Sequence, residues 1–364
     1  MEKNNAVTNQ FEDFMMSSIK GYGKTIVYVD GEDERLARAL KIFKNYNSSR
    51  TILLGRENII AKNIKEAGIK KTDTIEIIEP ARYGKFEAYK NLLIDKFKDK
   101  KKEISEVQAA ELTNQTNYFA ALMLKSGDAH CGISGSLSAT EEMMRPLIQI
   151  IGTGNKKRYL SGAVMQIIPD CPYGTDGQFL FADVAVIPEP NEAQMIDIVL
   201  SSYETAKTLF SSEPKIAMLS YSTKGSANSE KIDQTRRVVE RVRKINPDIK
   251  IDGELQFDAA IIPEVAKVKC PSSEVAGFAN VLIFPDLASA NICVKVVQRL
   301  AKAKYYGTVI QGSPIPFNDL SRGCPPIEIV RLSAMTLMQV KRMEKKKNLL
   351  ESSKVFETKL QNLV

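Results

Sequence analysis

TIVYVDGEDERLARALKIFKNYNSSRTILL, residues 25–54, is the stretch on which the fold class turns. A short β-branched run, Thr25 to Val29, gives way to a helical pattern over Asp33 to Phe43, and a second apolar run follows at Thr51 to Leu54. Strand, helix and strand in so few residues is the rhythm of a parallel sheet. It continues outward, with helices expected over Glu57 to Ala67, Tyr83 to Phe97 and Ser105 to Lys125, and a strand over Thr74 to Ile78. The same alternation resumes beyond Lys156. There strands are expected at Tyr159 to Ile168, Phe179 to Ile187, Ile216 to Leu219 and Val281 to Phe284, and helices at Glu192 to Phe210 and Asn228 to Lys244. The class is therefore α/β, and 364 residues are enough for two such units, because domains commonly run ~100–200 residues. Gly152, Gly154 and Asn155 offer turn residues for a hinge between the halves.

Composition narrows the function. The net charge of +7 comes with no tryptophan, with lysines in short runs such as 98–102 and 345–347, and with no nucleic-acid motif. A solvated face or an affinity for small anions is the expectation, with no nucleic-acid partner. No apolar run reaches the ~18–20 residues of a membrane span. The opening MEKNNAVTNQFEDF lacks the basic and apolar regions of a signal peptide, and the five cysteines show no CxxC spacing. A reducing cytoplasm, with neither membrane nor metal cluster, is the expected setting.

In doubly wound sheets ligands lie beyond the carboxyl ends of strands, which directs attention to the turns after Val29, Ile187 and Phe284. Helix capping by Asp, Asn and Pro explains those turns equally well. Two clusters carry more chemistry. In LSYSTKGSA (219–227), Ser222, Thr223, Lys224, Gly225 and Ser226 can present hydroxyls, backbone N–H groups and a cation to one anion ahead of a helix, although N-capping alone accounts for Ser226. In NDLSRGC (318–324), Ser321 supplies a donor, Arg322 a phosphate clamp, and Glu328 a candidate base one short turn on; capping and surface ion pairing are the bland alternative. Cys324 reads as a packed small side chain and His130, the only histidine, as a buried or half-buried structural residue. Gly132 to Ser138 lacks the GxGxxG pattern, so a dinucleotide site is weakly supported, and Arg145 either reaches an anion or extends to solvent.

Taken together, LSYSTKGSA (219–227), DGELQFDAAIIPEVA (252–266), ANVLIFPDL (279–287), VVQRLAKA (296–303) and FNDLSRGC (317–324) resemble the phosphate acetyltransferase family, with GEDERLARAL (31–40) and FADVAVIPEP (181–190) as further matching blocks. The resemblance implies two Rossmann-like α/β domains with a cleft between them, the first formed by 1–154 plus 312–364 and the second by 155–311. It implies a homodimer with no tightly bound cofactor, and small-molecule substrates: coenzyme A, acetyl phosphate and phosphate. Ser321 would then stabilise the tetrahedral species, Arg322 would hold phosphate and coenzyme A, and Arg145, Lys295 and Arg299 would face coenzyme A. Two departures stand out. The family's catalytic aspartate falls on Glu328, and its Arg-Lys-His-Lys-Gly block has no clean counterpart in the lysine-rich segment 97–103. A butyryl or other acyl preference, a non-catalytic relative that binds coenzyme A or acyl phosphate, and a decarboxylating NAD-dependent dehydrogenase are the competing readings.

Overall fold

The computed structural model describes residues 2–70, 74–153 and 159–361. Gly154 and Asn155 of the expected hinge, and with them the expected boundary at 154–155, lie outside the described residues. Eleven strands are found among those described: β1 (Ile26–Tyr28), β2 (Thr51–Leu54), β3 (Ile75–Ile78), β4 (Cys131–Ser134), β5 (Ser161–Ile167), β6 (Gln178–Ala182), β7 (Lys215–Leu219), β8 (Lys250–Leu255), β9 (Val281–Ile283), β10 (Lys304–Gln311) and β11 (Phe317–Asp319).

They form two sheets. The first is wholly parallel in the order β11-β4-β1-β2-β3, with β1, β2 and β4 buried along their whole length, as strands covered on both faces must be. The second runs β10-β5-β6-β9-β7-β8. Its β6, β9, β7 and β8 are mutually parallel, whereas β5 is antiparallel to both neighbours. The reason is local: segment 168–177 between β5 and β6 holds no helix, and a parallel return needs a crossover of about a dozen residues or more.

Caps set the helix starts. Asp33 accepts from the backbone N–H of Arg35 ahead of helix Glu34–Phe43, Asn191 forms a capping box ahead of Glu192–Leu209, and Asp286 accepts from Ser289 ahead of Leu287–Leu300. The single helix expected over 105–125 is two, Glu106–Asn114 and Thr116–Ser126, broken at Gln115 in an extended conformation (φ −75°, ψ 128°). Thr113, Asn114, Thr116 and Asn117 flank the break, and such side chains compete with helical backbone bonds.

Both chain ends reinforce the core. Helix Glu2–Ile19 buries Phe11, Met15 and Ile19, and its Glu12 carboxylate accepts from Arg331 of the long helix Pro326–Gln361 and, at 3.0 Å, from the Tyr306 hydroxyl of β10. One apolar cluster joins Ile26, Tyr28 and Leu53 of the first sheet to Ala163, Met165 and Leu180 of the second. The two layer systems therefore share a core on one side and part on the other.

Candidate active site

Between the sheets opens a cavity of about 570 Å³, within the ~300–1,000 Å³ typical of ligand pockets. Its first wall is the 320–328 segment with Gly135, Ser138 and Thr140; its second is helix Leu287–Leu300 with Val184, Ala185, Tyr305 and Thr308. Most of these residues lie just past the carboxyl ends of β4, β6, β9 and β11, where an α/β sheet binds ligands.

The first wall begins with β11. Leu320 donates its N–H to the Ser134 carbonyl at 2.7 Å, and the chain then turns, with the Cys324 N–H donating to the Ser321 carbonyl at 3.0 Å. Arg35 clamps this turn. Its guanidinium donates to the carbonyls of Arg322 (2.7 Å) and Cys324 (3.1 Å), to the Ser136 carbonyl (2.8 Å), and to both oxygens of Asp33. A side chain from the first helix of the sheet thus fixes both loops of the wall. Gly135 adopts φ +97°, and a Cβ there would stand 2.1 Å from the Asp319 carboxylate and 2.5 Å from the Leu320 carbonyl, so only glycine fits.

Ser321, Arg322 and Glu328 all line this cavity. Glu328 is half-buried in the first turn of Pro326–Gln361, its N–H donating to the Pro325 carbonyl at 3.0 Å. Burial pushes its carboxyl above the usual glutamate range, partly offset by the Arg331 and Arg299 guanidiniums. Lys295 and Arg299 face the same space from helix Leu287–Leu300, at the i, i+4 spacing that puts them on one side of it with Asn291, Val294 and Gln298. Among the described residues, none of the Arg322, Lys295 and Arg299 side chains makes a hydrogen bond or salt bridge. Three unpaired cations around one cavity favour an anionic occupant.

Asp319 and Asp183 were not singled out from sequence. Asp319 is only 5% exposed; one oxygen accepts from the Thr140 hydroxyl at 2.6 Å, the other has no partner, and burial raises its carboxyl to about 6. Asp183 accepts four backbone N–H groups, from Gly162, Ala185, Val186 and Ile187, and so shapes the Val184–Ala185 edge of the cavity. Both sit in recognisable blocks, NDLSRG and FADVAV, but nothing in a lone acid's spelling reveals burial.

The 222–226 loop lies elsewhere: none of its residues lines this cavity, and Lys224 borders a separate one with Arg243 and Lys250. Its expected anion is present as part of the chain. The Glu254 carboxylate, 1% exposed, accepts from the Ser222 hydroxyl (3.2 Å), the Gly225 N–H (2.7 Å) and the Arg236 guanidinium (3.0 Å), while Lys224 pairs with Asp252. Thr223 bonds Gln256, and the Ser226 hydroxyl accepts from the Thr223 N–H. The chemistry expected of a phosphate cradle is there, and a carboxylate fills it.

Burial alone would raise the Glu254 pKa, yet Arg236 and the Gly225 N–H outweigh it and hold it at about 2. A depressed carboxyl stabilises the fold fully above the ordinary glutamate range, and that contribution is lost as pH falls toward 2. Glu254→Gln is therefore expected to cost about 2 kcal/mol near neutrality, since Arg236 then keeps only its pair with Asp233 on the surface of its own helix. In urea melts the difference from the parent protein should narrow with acid, and kcat should stay unchanged.

Two further placements differ from expectation. Arg145 is 60% exposed and paired with Glu141 at 2.8 Å; it does not line the cavity, whereas Thr140 at the other end of its helix does. His130 is exposed rather than buried, its ring Nδ1 accepting from the Thr25 N–H at 3.1 Å. Cys324, by contrast, is buried as expected, with burial raising its thiol to about 11, which disfavours a thiolate nucleophile.

Known proteins match the whole arrangement. The Phosphate acetyl/butaryl transferase family model matches residues 10–337. A phosphate acetyltransferase of Clostridium acetobutylicum is 43% identical over 320 residues, 88% of this chain and 95% of that protein. One from Thermoanaerobacterium thermosaccharolyticum is 41% identical over 325 residues, 89% of this chain and 98% of that protein. A crystal structure of a phosphotransacetylase from Streptococcus pyogenes superposes with a TM-score of 0.84 at 35% identity, covering 91% of this chain and 98% of that one. With its two α/β layer systems and the cleft between them, the chain belongs to the phosphate acetyl/butaryl transferase family.

Proposed function

We propose that the chain is a phosphate acetyltransferase, moving an acetyl group reversibly between coenzyme A and inorganic phosphate. The observation that carries this reading is the convergence of Ser321, Arg322, Glu328, Lys295 and Arg299 on one cavity between the sheets. The thiol of coenzyme A, with an ordinary pKa of ~8.5, is mostly protonated at neutral pH. Glu328 takes its proton as the sulfur bonds to the carbonyl carbon of acetyl phosphate, and the carbonyl electron pair moves onto oxygen. Ser321 donates to that oxygen. Collapse reforms the carbonyl and breaks the bond to phosphate, which leaves against Arg322, while Lys295 and Arg299 hold the anionic part of coenzyme A. Closure between the two walls keeps water from the acyl phosphate.

Phosphate-dependent release of free thiol from acetyl-CoA is the test. Release is the expected result, and bound acetyl-CoA without release would establish instead a binding protein. Rates with acetyl, propionyl and butyryl phosphates rank the acyl preference, since one methylene is worth only ~1–3 kcal/mol.

The division into 1–154 plus 312–364 and 155–311 is supported by the strand membership of the two sheets, with β11 rejoining β4 after β10. A cytoplasmic location fits five free cysteines, and substrates in place of a bound prosthetic group fit the chemistry above. A homodimer is proposed from the exposed ridge Ile292, Val296 and Leu300 on helix Leu287–Leu300, three apolar side chains at i, i+4 spacing that a second copy would cover. Light scattering should then give about twice the 40.5 kDa chain mass.

A further inference from the structure

Strand β10 carries one residue too many for its partner. Tyr306 pairs with Met165 and Val309 with Ala163, so two residues of β10 oppose Val164 alone. In a regular strand residues three apart point to opposite faces. Here the bulge brings Tyr305 and Thr308 to the same side, with their hydroxyls 3.0 Å apart, and both line the cavity with Ser321 and Glu328. Bulges beside active sites commonly re-aim side chains in this way.

The pair is built to donate. Two hydroxyls joined by one hydrogen bond keep one proton unspent, and among the described residues neither hydroxyl has another partner. Burial lifts the Tyr305 phenol to about 12, with Glu328 and Asp319 adding to the lift, so it stays protonated across the neutral range. Those same influences place it in the field of the two cavity carboxylates. Its ring is anchored in the apolar cluster of the second sheet. The proposed mechanism supplies the first wall's Ser321 as donor to the tetrahedral oxygen, and no hydroxyl from the second wall.

We propose that the Tyr305–Thr308 hydroxyl pair is a second hydrogen-bond donor to the oxygen of the tetrahedral intermediate, supplied from the second sheet across the cleft from Ser321. This rests on the catalytic reading of the cavity. The pair donates without giving up its proton, so the electron and proton balance of the transfer is unchanged.

Steady-state kinetics of Tyr305→Phe, Thr308→Val, Thr308→Ser and the double Tyr305→Phe/Thr308→Val variant, beside Ser321→Ala and Glu328→Gln, test it. The phenylalanine and valine variants are each expected to lower kcat roughly 10- to 100-fold, somewhat less than loss of a solitary oxyanion donor because Ser321 remains. KM for coenzyme A and acetyl phosphate should stay within about twofold, and the double variant should be no worse than the poorer single, as for residues acting as a unit. Thr308→Ser should restore most of the rate. Wild-type kcat in Tyr305→Phe and Thr308→Val, with Ser321→Ala impaired, would overturn the proposal. So would a loss that tracks lowered Tm and is not restored by serine. If Ser321→Ala and Glu328→Gln are themselves at the wild-type rate, the reading of the cavity has failed and the pair's role falls with it.

Discussion

Glu328→Gln is expected to lower kcat about 10²–10⁴-fold, the usual worth of a positioned general base, with little change in KM. Glutamine keeps the size and the hydrogen-bonding reach of the side chain but cannot take the thiol proton. The pH profile is the sharper check. A base works deprotonated, so kcat/KM must fall as pH drops through the pKa of Glu328. Burial raises that pKa, and Arg331 and Arg299 restore only part of the shift. The acid limb should therefore lie above the ~4.3 of an ordinary glutamate. Asp319 titrates nearby, at about 6, so Asp319→Asn is needed to separate the two. The limb should survive in Asp319→Asn and vanish in Glu328→Gln.

Arg322→Ala should cost about 10²–10³ in kcat/KM, comparable to removing a preorganised donor aimed at developing charge. The guanidinium lines the cavity with no protein partner, so its fork is free for phosphate, and no compensating ion pair is lost on truncation. Stability should hardly change for the same reason, which separates this variant from a structural one. Arg322→Lys keeps the charge but loses the planar fork, and is expected to recover only part of the rate. Initial rates at varied acetyl phosphate, beside a thermal melt of each variant, decide between these outcomes.

What could be read from the chain and what could not divides along burial of polar groups. The apolar runs that became β1, β2, β7 and β9, and the helices between them, announce themselves by periodicity. The NDLSRG turn is equally legible, because its donor, clamp and the acid that follows lie within eight residues, 321–328, and the fold only has to bend once. Strand β8 was missed because its sequence, KIDGEL, alternates carboxylates with apolar residues, and Asp252 and Glu254 are buried inside on the strength of Lys224, Arg243 and Arg236. Strand β10 was missed through Gly307 and the bulge, and β4 (CGIS) and β11 (FND) because each has few β-branched or apolar residues to mark it as a strand.

The same physics misled the reading of LSYSTKGSA. Its N–H groups and hydroxyls do gather around an anion, but spacing cannot tell a substrate phosphate from a glutamate that arrives twenty-nine residues after Gly225 in the chain. Lys295 and Arg299 came from the resemblance, and their shared face of helix Leu287–Leu300 puts both along the same cavity. Arg35, whose guanidinium holds the turn that carries Ser321 and Arg322, belongs to the GEDERLARAL block, where its role as a clamp depends wholly on tertiary contact.

The most direct test of the central claim is a crystal structure of the protein with desulfo-coenzyme A and phosphate bound. The account predicts phosphate at Arg322, and the pantetheine end of the ligand within reach of Glu328 and Ser321, between the 320–328 segment and helix Leu287–Leu300. Density for either ligand at the Lys224 cavity or beside Arg145, with the space between the sheets empty, would contradict it.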